Sequence, residues 1–307
     1  MSSHMRHRAS AVILILLFSG STTYTSFLDG CSAFLQKNKK AIFIGSVVTL
    51  AGFLALRHFF KDNEKVKLCK NPFEEQRKKY YATLLIKPWG EIAKKYIEQL
   101  EKEERALMTE LFRSTNTTEQ QWQQFEQAYE YKNIFGHLPF IGAPFPARVE
   151  VQIAVRKIFE EAGLDLKKFR IHGTSLPSAI SYSGNMLSVE HDLNPSTNLF
   201  KATIWHEIQH LFHNDEHRIY CIHDFIQQKS KNNKELEEIG LKLQRFAEKR
   251  ADILANLLDP SYAKDDAEHY ANFAEFDLKV QTHPTNLCRS QYLQNLYNDM
   301  LKAKNAR

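Results

Sequence analysis

Thr203-Ile204-Trp205-His206-Glu207-Ile208-Gln209-His210-Leu211-Phe212 is a largely apolar run that carries the pattern HExxH. The spacing predicts a helix with chemistry on it. On a helix, residues i and i+4 lie one above the other, so His206 and His210 can turn ring nitrogens toward one ion. Glu207, on the adjoining flank, can reach a metal-bound water and take its proton as the water attacks a polarised carbonyl. Ile204, Trp205, Ile208, Leu211 and Phe212 give the helix the apolar character of a buried active-site helix. Two histidines inside a protein need partners, and a metal supplies one. The competing reading is a helix with two satisfied surface histidines.

A catalytic zinc needs a third protein ligand that still leaves one position open. The extended pattern HExxHxxGxxH fails here, because His213 stands at its Gly position and Glu216 at its last His position. A glutamate from a second helix is the alternative. Leu236 to Leu258 is strongly helix-periodic, with Leu236, Ile239, Leu243, Phe246, Ala247, Ile253, Leu254 and Leu257 apolar. Glu248 and Asp252 lie within it as i,i+4 neighbours. One of them can ligate the metal while the other accepts the free N–H of a ligating histidine and orients it. Standing alone, the pair reads as solvated acids beside Lys249 and Arg250. His213, His217 and His223 read as solvent-facing or capping residues.

HEIQH followed by EKRAD resembles the HExxH…ExxAD pattern of the membrane-associated gluzincin proteases. That family includes the CAAX prenyl endopeptidases, the bacterial heat-shock membrane protease and the mitochondrial inner-membrane quality-control protease. Ser178-Ala-Ile-Ser-Tyr-Ser-Gly-Asn-Met-Leu-Ser-Val189 is similar to the family's edge-strand segment. Thr282-His283-Pro284-Thr-Asn-Leu-Cys-Arg289 is similar to its THPxxxxR segment. The resemblance spans about Arg148 to Leu296. It implies that His206, His210 and Glu248 ligate one Zn2+ per chain, with Glu207 as general base. It implies Asp252 as a supporting carboxylate, and His283 and Arg289 as cleft-lining residues of the catalytic set. Two departures stand in the edge-strand segment: Ser178 replaces the usual Asn, and Ser183-Gly184-Asn185 replaces Pro-Gly-Gly.

Working outward, Arg148 to Ala162 predicts a helix closed by Gly163. Phe169 to Gly173 predicts a strand. Pro177 to Val189 predicts two more strands around a turn at Ser183-Gly184-Asn185. An edge strand near 178–189 offers an extended protein or peptide substrate a place to bind beside the cleft. Residues 72–135 are charged, aromatic and helix-periodic and read as packing helices. Gly136 to Pro146, with three prolines and two glycines, reads as a linker. The expected class is therefore α+β: a mainly helical zincin-like domain with a small β-sheet beside the HExxH helix, preceded by N-terminal membrane helices.

The membrane expectation rests on two uncharged stretches. Residues 9–28, after Arg6 and Arg8, fit a signal sequence or a first span. Residues 41–60 are bracketed by Lys37, Lys39, Lys40 and Arg57 and fit a span into the lipid bilayer. The expected organisation is a membrane anchor over 1–60, a helical region over 61–135 and a metallopeptidase domain over 136–307. An integral membrane protein results, with its catalytic domain on the cytoplasmic side.

Composition narrows the field further. Among 307 residues, 43% are apolar and 25% charged, which suits a packed core. With only 11 Gly and 9 Pro, helices are favoured over turn-rich β architectures. A net charge of +5 gives no case for a nucleic-acid partner. Cys31, Cys69, Cys221 and Cys288 show no CxxC spacing, so neither a disulfide scaffold nor a thiolate zinc site is suggested. Together these readings predict a membrane-anchored zinc endopeptidase. The rival is a catalytically inactive membrane-anchored adaptor of zincin fold that binds partners through residues 72–135. Against the rival, every chemically required position is filled.

Overall fold

A computed structural model describes residues 69–71, 73–132, 145–165, 170–174, 181–183, 186–190, 193–229, 233–276 and 282–306. In chain order the helices are α1 (Glu74–Leu85), α2 (Gly90–Ser114), α3 (Glu119–Glu130), α4 (Val149–Glu161) and α5 (Asn198–His213). They continue with α6 (Asp215–Lys229), α7 (Lys234–Asn256), α8 (Pro260–Asn272) and α9 (Asn286–Asn305). The strands are β1 (Cys69–Lys70), β2 (Tyr131–Lys132), β3 (Phe145–Pro146), β4 (Arg170–Thr174), β5 (Ser181–Ser183) and β6 (Met186–Glu190).

The expected fold class needs correction. Helix dominates the described residues, and the strands are only two to five residues long. β1 and β2 form a two-stranded ribbon. The others form a sheet in the order β3-β4-β6-β5, antiparallel except for the parallel β4–β6 pair. The membrane, transmembrane-helix and integral-membrane expectations, with the cytoplasmic-side placement built on them, also need correction. No helix among the described residues is long and apolar enough to cross a membrane. At 1.5 Å per residue, α2 with 25 residues and α7 with 23 have the length for a span of about 30 Å. Both instead carry a charged outer face and one buried stripe, the signature of helices on a globular core. The stretches 9–28 and 41–60 lie outside the described residues, as do most of the expected linker and the turn residues 184–185.

From Lys67 to Arg307 the chain is one compact unit. The helices of region 61–135 share their core with the expected peptidase domain. Tyr80, Leu84, Trp89, Ala93 and Leu100 belong to the same apolar cluster as Phe200, Ile204, Ile208, Phe212, Leu254 and Leu296. Polar anchors reinforce this packing. The Tyr80 ring stacks on Trp205 at 5.2 Å, and its hydroxyl donates to the Leu254 carbonyl. The Trp89 indole donates to the Leu257 carbonyl at 2.7 Å. Leu111, Trp122, Phe125, Phe225, Ile239 and Leu243 build a second cluster where α2, α3, α6 and α7 meet.

Short polar side chains fix where the helices begin. The Thr197 hydroxyl accepts from the Phe200 amide, Asn233 from Glu235 and Leu236, and Thr285 from Cys288. Asp259 caps α8, with Pro260 in the first turn. α5 ends at Asn214, in the left-handed conformation at φ 57°, ψ 38°. A residue of that kind closes a helix and turns the chain sharply.

At Gly90, the first residue of α2, an added Cβ would lie 2.0 Å from the Leu85 carbonyl oxygen. Alanine is the better helix former by about 1 kcal/mol. A clash with backbone, however, has no rotamer that relieves it and costs about 1–3 kcal/mol. Gly90→Ala is therefore expected to lower the melting temperature, by about 2–4 °C for each net kcal/mol. A raised melting temperature by calorimetry would show that the α1–α2 turn yields.

Candidate metal centre

α5 and α7 cross in the core, and their i,i+4 pairs face each other. α5 is buried almost all round, with Phe200, Ile204, Ile208 and Phe212 fully enclosed, so His206 and His210 are held in a protein interior. His206 Nε2 lies 2.9 Å from His210 Nε2. Glu248, from the middle of α7, places Oε2 3.3 Å from His206 Nε2 and Oε1 3.7 Å from His210 Nε2. Among the described residues these three side chains form the one His/Cys/Asp/Glu group whose ligand atoms all lie within 4.8 Å of one another.

The outer nitrogens fix the rings. His206 Nδ1 is 2.8 Å from Asp252 Oδ1, and His210 Nδ1 is 2.9 Å from Asp215 Oδ2. Each carboxylate keeps a proton on Nδ1, which turns the Nε2 lone pair inward. Two lone pairs 2.9 Å apart beside a carboxylate repel unless a proton or a cation lies among them. The electrostatics agree. Burial presses the His206 imidazole down, but the charge and hydrogen bond of Asp252, with Glu248, outweigh it and hold it up to about 9. Burial also presses on His210, and Asp215 and Glu248 raise it well above the ordinary histidine range. Glu248 resists its own burial and is held far below the usual carboxylate range by the two imidazoles. The pocket thus selects positive charge where the three ligand atoms converge.

The donor set fits zinc. Two imidazole nitrogens and one carboxylate form a catalytic-type ligand set that leaves a position open. Bonds of about 2.0–2.1 Å at tetrahedral angles put ligand atoms about 3.4 Å apart; here the two imidazole nitrogens are 2.9 Å apart, and they lie 3.3 and 3.7 Å from the two different oxygens of Glu248.

Glu207 lies next to His206, buried, and lines the same cleft of about 370 Å³ as His206, His210 and Glu248. Asp252 is 1% exposed and supports His206 without reaching the ligand cluster itself. The two cleft-lining residues of the resemblance occupy different environments. His283 stands at the rim, 42% exposed, with Nε2 3.2 Å from Glu248 Oε2. Arg289 is buried against Asp252 and also lines the cleft. Its Nε donates to Asp252 Oδ2 at 2.8 Å and Nη2 to Oδ1 at 2.6 Å, and its guanidinium lies 4.0 Å over the Tyr270 ring. The Tyr292 hydroxyl also donates to Asp252. Both oxygens of Asp252 are thereby committed, which locks its orientation toward His206.

Sequence reasoning missed Asp215, five positions after His210 and one past the left-handed Asn214. The available signal was an acidic residue at the first turn beyond the HExxH helix. It also missed Arg250, which was read only as a neighbour of the acidic pair. His213 is not solvent-facing. It is buried, with Nε2 3.1 Å from the Tyr81 hydroxyl, and burial pushes it well below the ordinary histidine range. His217 meets the Ala128 carbonyl and His223 the Gln244 amide, so these three histidines do not converge.

β5 is the outer strand of the four-stranded sheet, pairing with β6 through Ser181 to Ser188 and Ser183 to Met186, and it packs against α5. The remainder of the expected edge-strand segment, 178–180, lies outside the described residues. No protein-family model, no curated protein and no solved structure matches this chain.

Proposed function

We propose that this chain is a zinc-dependent endopeptidase of the gluzincin type. One observation carries the proposal. His206 and His210 from α5 and Glu248 from α7 converge within ligation distance of one another, and a carboxylate holds the outer nitrogen of each histidine. The order HExxH then ExxAD in the sequence supports the same reading.

When bound there, zinc would supply a Lewis acid that lowers the pKa of a water and polarises the scissile carbonyl. The chain's own residues do the rest. Glu207 takes the proton of the attacking water and delivers it to the nitrogen of the departing amine. Asp252 and Asp215 keep the two imidazoles in the tautomer that faces inward. Arg289, committed to Asp252 and Tyr270, is a positioning residue that acts through Asp252. His283, at the rim, where burial holds it below the ordinary histidine range, is the hydrogen-bonding side chain that would meet the substrate backbone. An extended peptide lying along β5 would bring its carbonyl to the mouth of the cleft by adding a strand to the sheet.

The test uses the full chain and an unfolded polypeptide as substrate. We expect about one zinc per chain, internal peptide-bond cleavage, loss of cleavage on chelation and recovery on adding zinc. A chain that binds no zinc, or cleavage that survives stripping, would overturn the reading.

A further inference from the structure

Both histidines are backed by the same chemical sequence, and of the two arms only the first falls on the defined positions of the ExxAD and THPxxxxR patterns. His206 rests on Asp252, which rests on Arg289. His210 rests on Asp215, which accepts from Arg250 Nη2. Asp215 is 3% exposed and Arg250 4%. The second arm extends further. Arg250 Nη1 lies 3.0 Å from Glu104 Oε2 on α2. Glu104 Oε1 takes the Arg218 guanidinium from α6 at 3.0 Å and the Tyr129 hydroxyl from α3 at 3.0 Å.

We infer that Asp215, locked by Arg250 and Glu104, is the positioning residue of His210, so that α2 and α7 set the orientation of this imidazole from outside the cleft. The inference rests on the zinc reading of the site.

Three features support it. The left-handed Asn214 ends α5 and starts α6 one residue later, which turns Asp215 back onto the ring it follows by five positions. The chain of groups is charge-balanced, with two carboxylates and two guanidiniums, so Asp215 adds no uncompensated charge beside the ligands. Arg250 occupies the Asp215 oxygen that His210 does not use. That holds the carboxylate against the imidazole and keeps it from swinging round to ligate the ion itself. A carboxylate held this way fixes the tautomer and raises the basicity of the ligating nitrogen. On this view the helices before residue 135 belong to the support of the site.

A purely structural ion-pair network is the competing account, and the same two helices supply a control. Lys249 of α7 pairs with Glu103 of α2 at 2.7 Å, one position away in each helix, without reaching either histidine. The experiment measures zinc affinity by chelator competition and melting of the zinc-stripped full chain. The variants are Asp215→Asn, Glu104→Gln, Glu103→Gln and the Asp215→Asn/Glu104→Gln double. Asp215→Asn is expected to weaken zinc binding about 10–100-fold. Glu104→Gln is expected to weaken it about 3–10-fold, and Glu103→Gln to stay within about twofold. The double variant should be no weaker than Asp215→Asn alone, because both act through one path.

A structural network would lower the melting temperature in Glu104→Gln while leaving affinity as unmoved as in Glu103→Gln, and that result overturns the inference. Unchanged affinity in a folded Asp215→Asn does the same. If Asp215→Asn does not fold, Glu104→Gln against Glu103→Gln decides. Wild-type chain that binds no zinc defeats both this inference and the zinc reading. Wild type that binds and cleaves, with variants indistinguishable from it, defeats this inference only.

Discussion

Glu207→Gln is expected to abolish hydrolysis and leave zinc bound. The substitution keeps the volume and hydrogen-bonding reach of the side chain and removes its ability to take a proton. Glu207 is buried at the wall of the cleft and is not one of the three converging ligands. General-base catalysis contributes about 10²–10⁴-fold, so kcat should fall by that factor, equivalent to roughly 2.7–5.4 kcal/mol of barrier. The check is kcat on a defined peptide with metal content measured on the same samples. Full activity with zinc in place would remove Glu207 from the mechanism. Loss of zinc together with activity would mean that Glu207 helps to hold the site.

Glu248→Gln should have the largest effect on the metal. The carboxylate is the only anionic ligand in the cluster, and both of its oxygens face imidazole nitrogens. Its loss is expected to cost more than the 10–100-fold typical of an outer partner. Activity should fall in parallel and return in part at high zinc concentration, because the fault lies in occupancy. A variant with wild-type zinc affinity would mean that Glu248 is an ordinary buried acid paired with histidines.

The site was more legible in the sequence than the architecture that holds it. The i,i+4 rule and the open-position requirement for zinc drew attention to His206, His210 and the Glu248–Asp252 pair, because spacing on a helix determines facing. Spacing alone left the roles within that pair open; the resemblance put Glu248 at the ion and Asp252 behind it, and where α5 and α7 cross, Glu248 Oε2 lies 3.3 Å from His206 Nε2 and Asp252 Oδ1 2.8 Å from His206 Nδ1. Apolar periodicity located α4 and α7 to within a few residues, yet periodicity shows that a face is buried and not against what. That is why residues 72–135 read only as packing helices, with no sign that Tyr80, Leu84 and Trp89 enter the same core as the HExxH helix. The weight of the fold class was misjudged because strand signals at 169–189 mark strands only three to five residues long on a helical body. Arg289 lines the cleft, but its sequence position cannot reveal that Asp252 claims its guanidinium. Glu104 carried no signal at all. It lies 146 residues before Arg250, and nothing local distinguishes it from Glu101 or Glu103.

The account stands on one ion held by two imidazoles and one carboxylate. X-ray absorption at the zinc edge, comparing wild type with Glu248→Gln, tests this most directly. The account predicts a four-coordinate wild-type site with two histidine nitrogens, oxygen ligands at about 2.0–2.2 Å and no sulfur, with the protein oxygen altered or lost in the variant. A spectrum with sulfur at about 2.3 Å, or one that Glu248→Gln leaves unchanged, would contradict it.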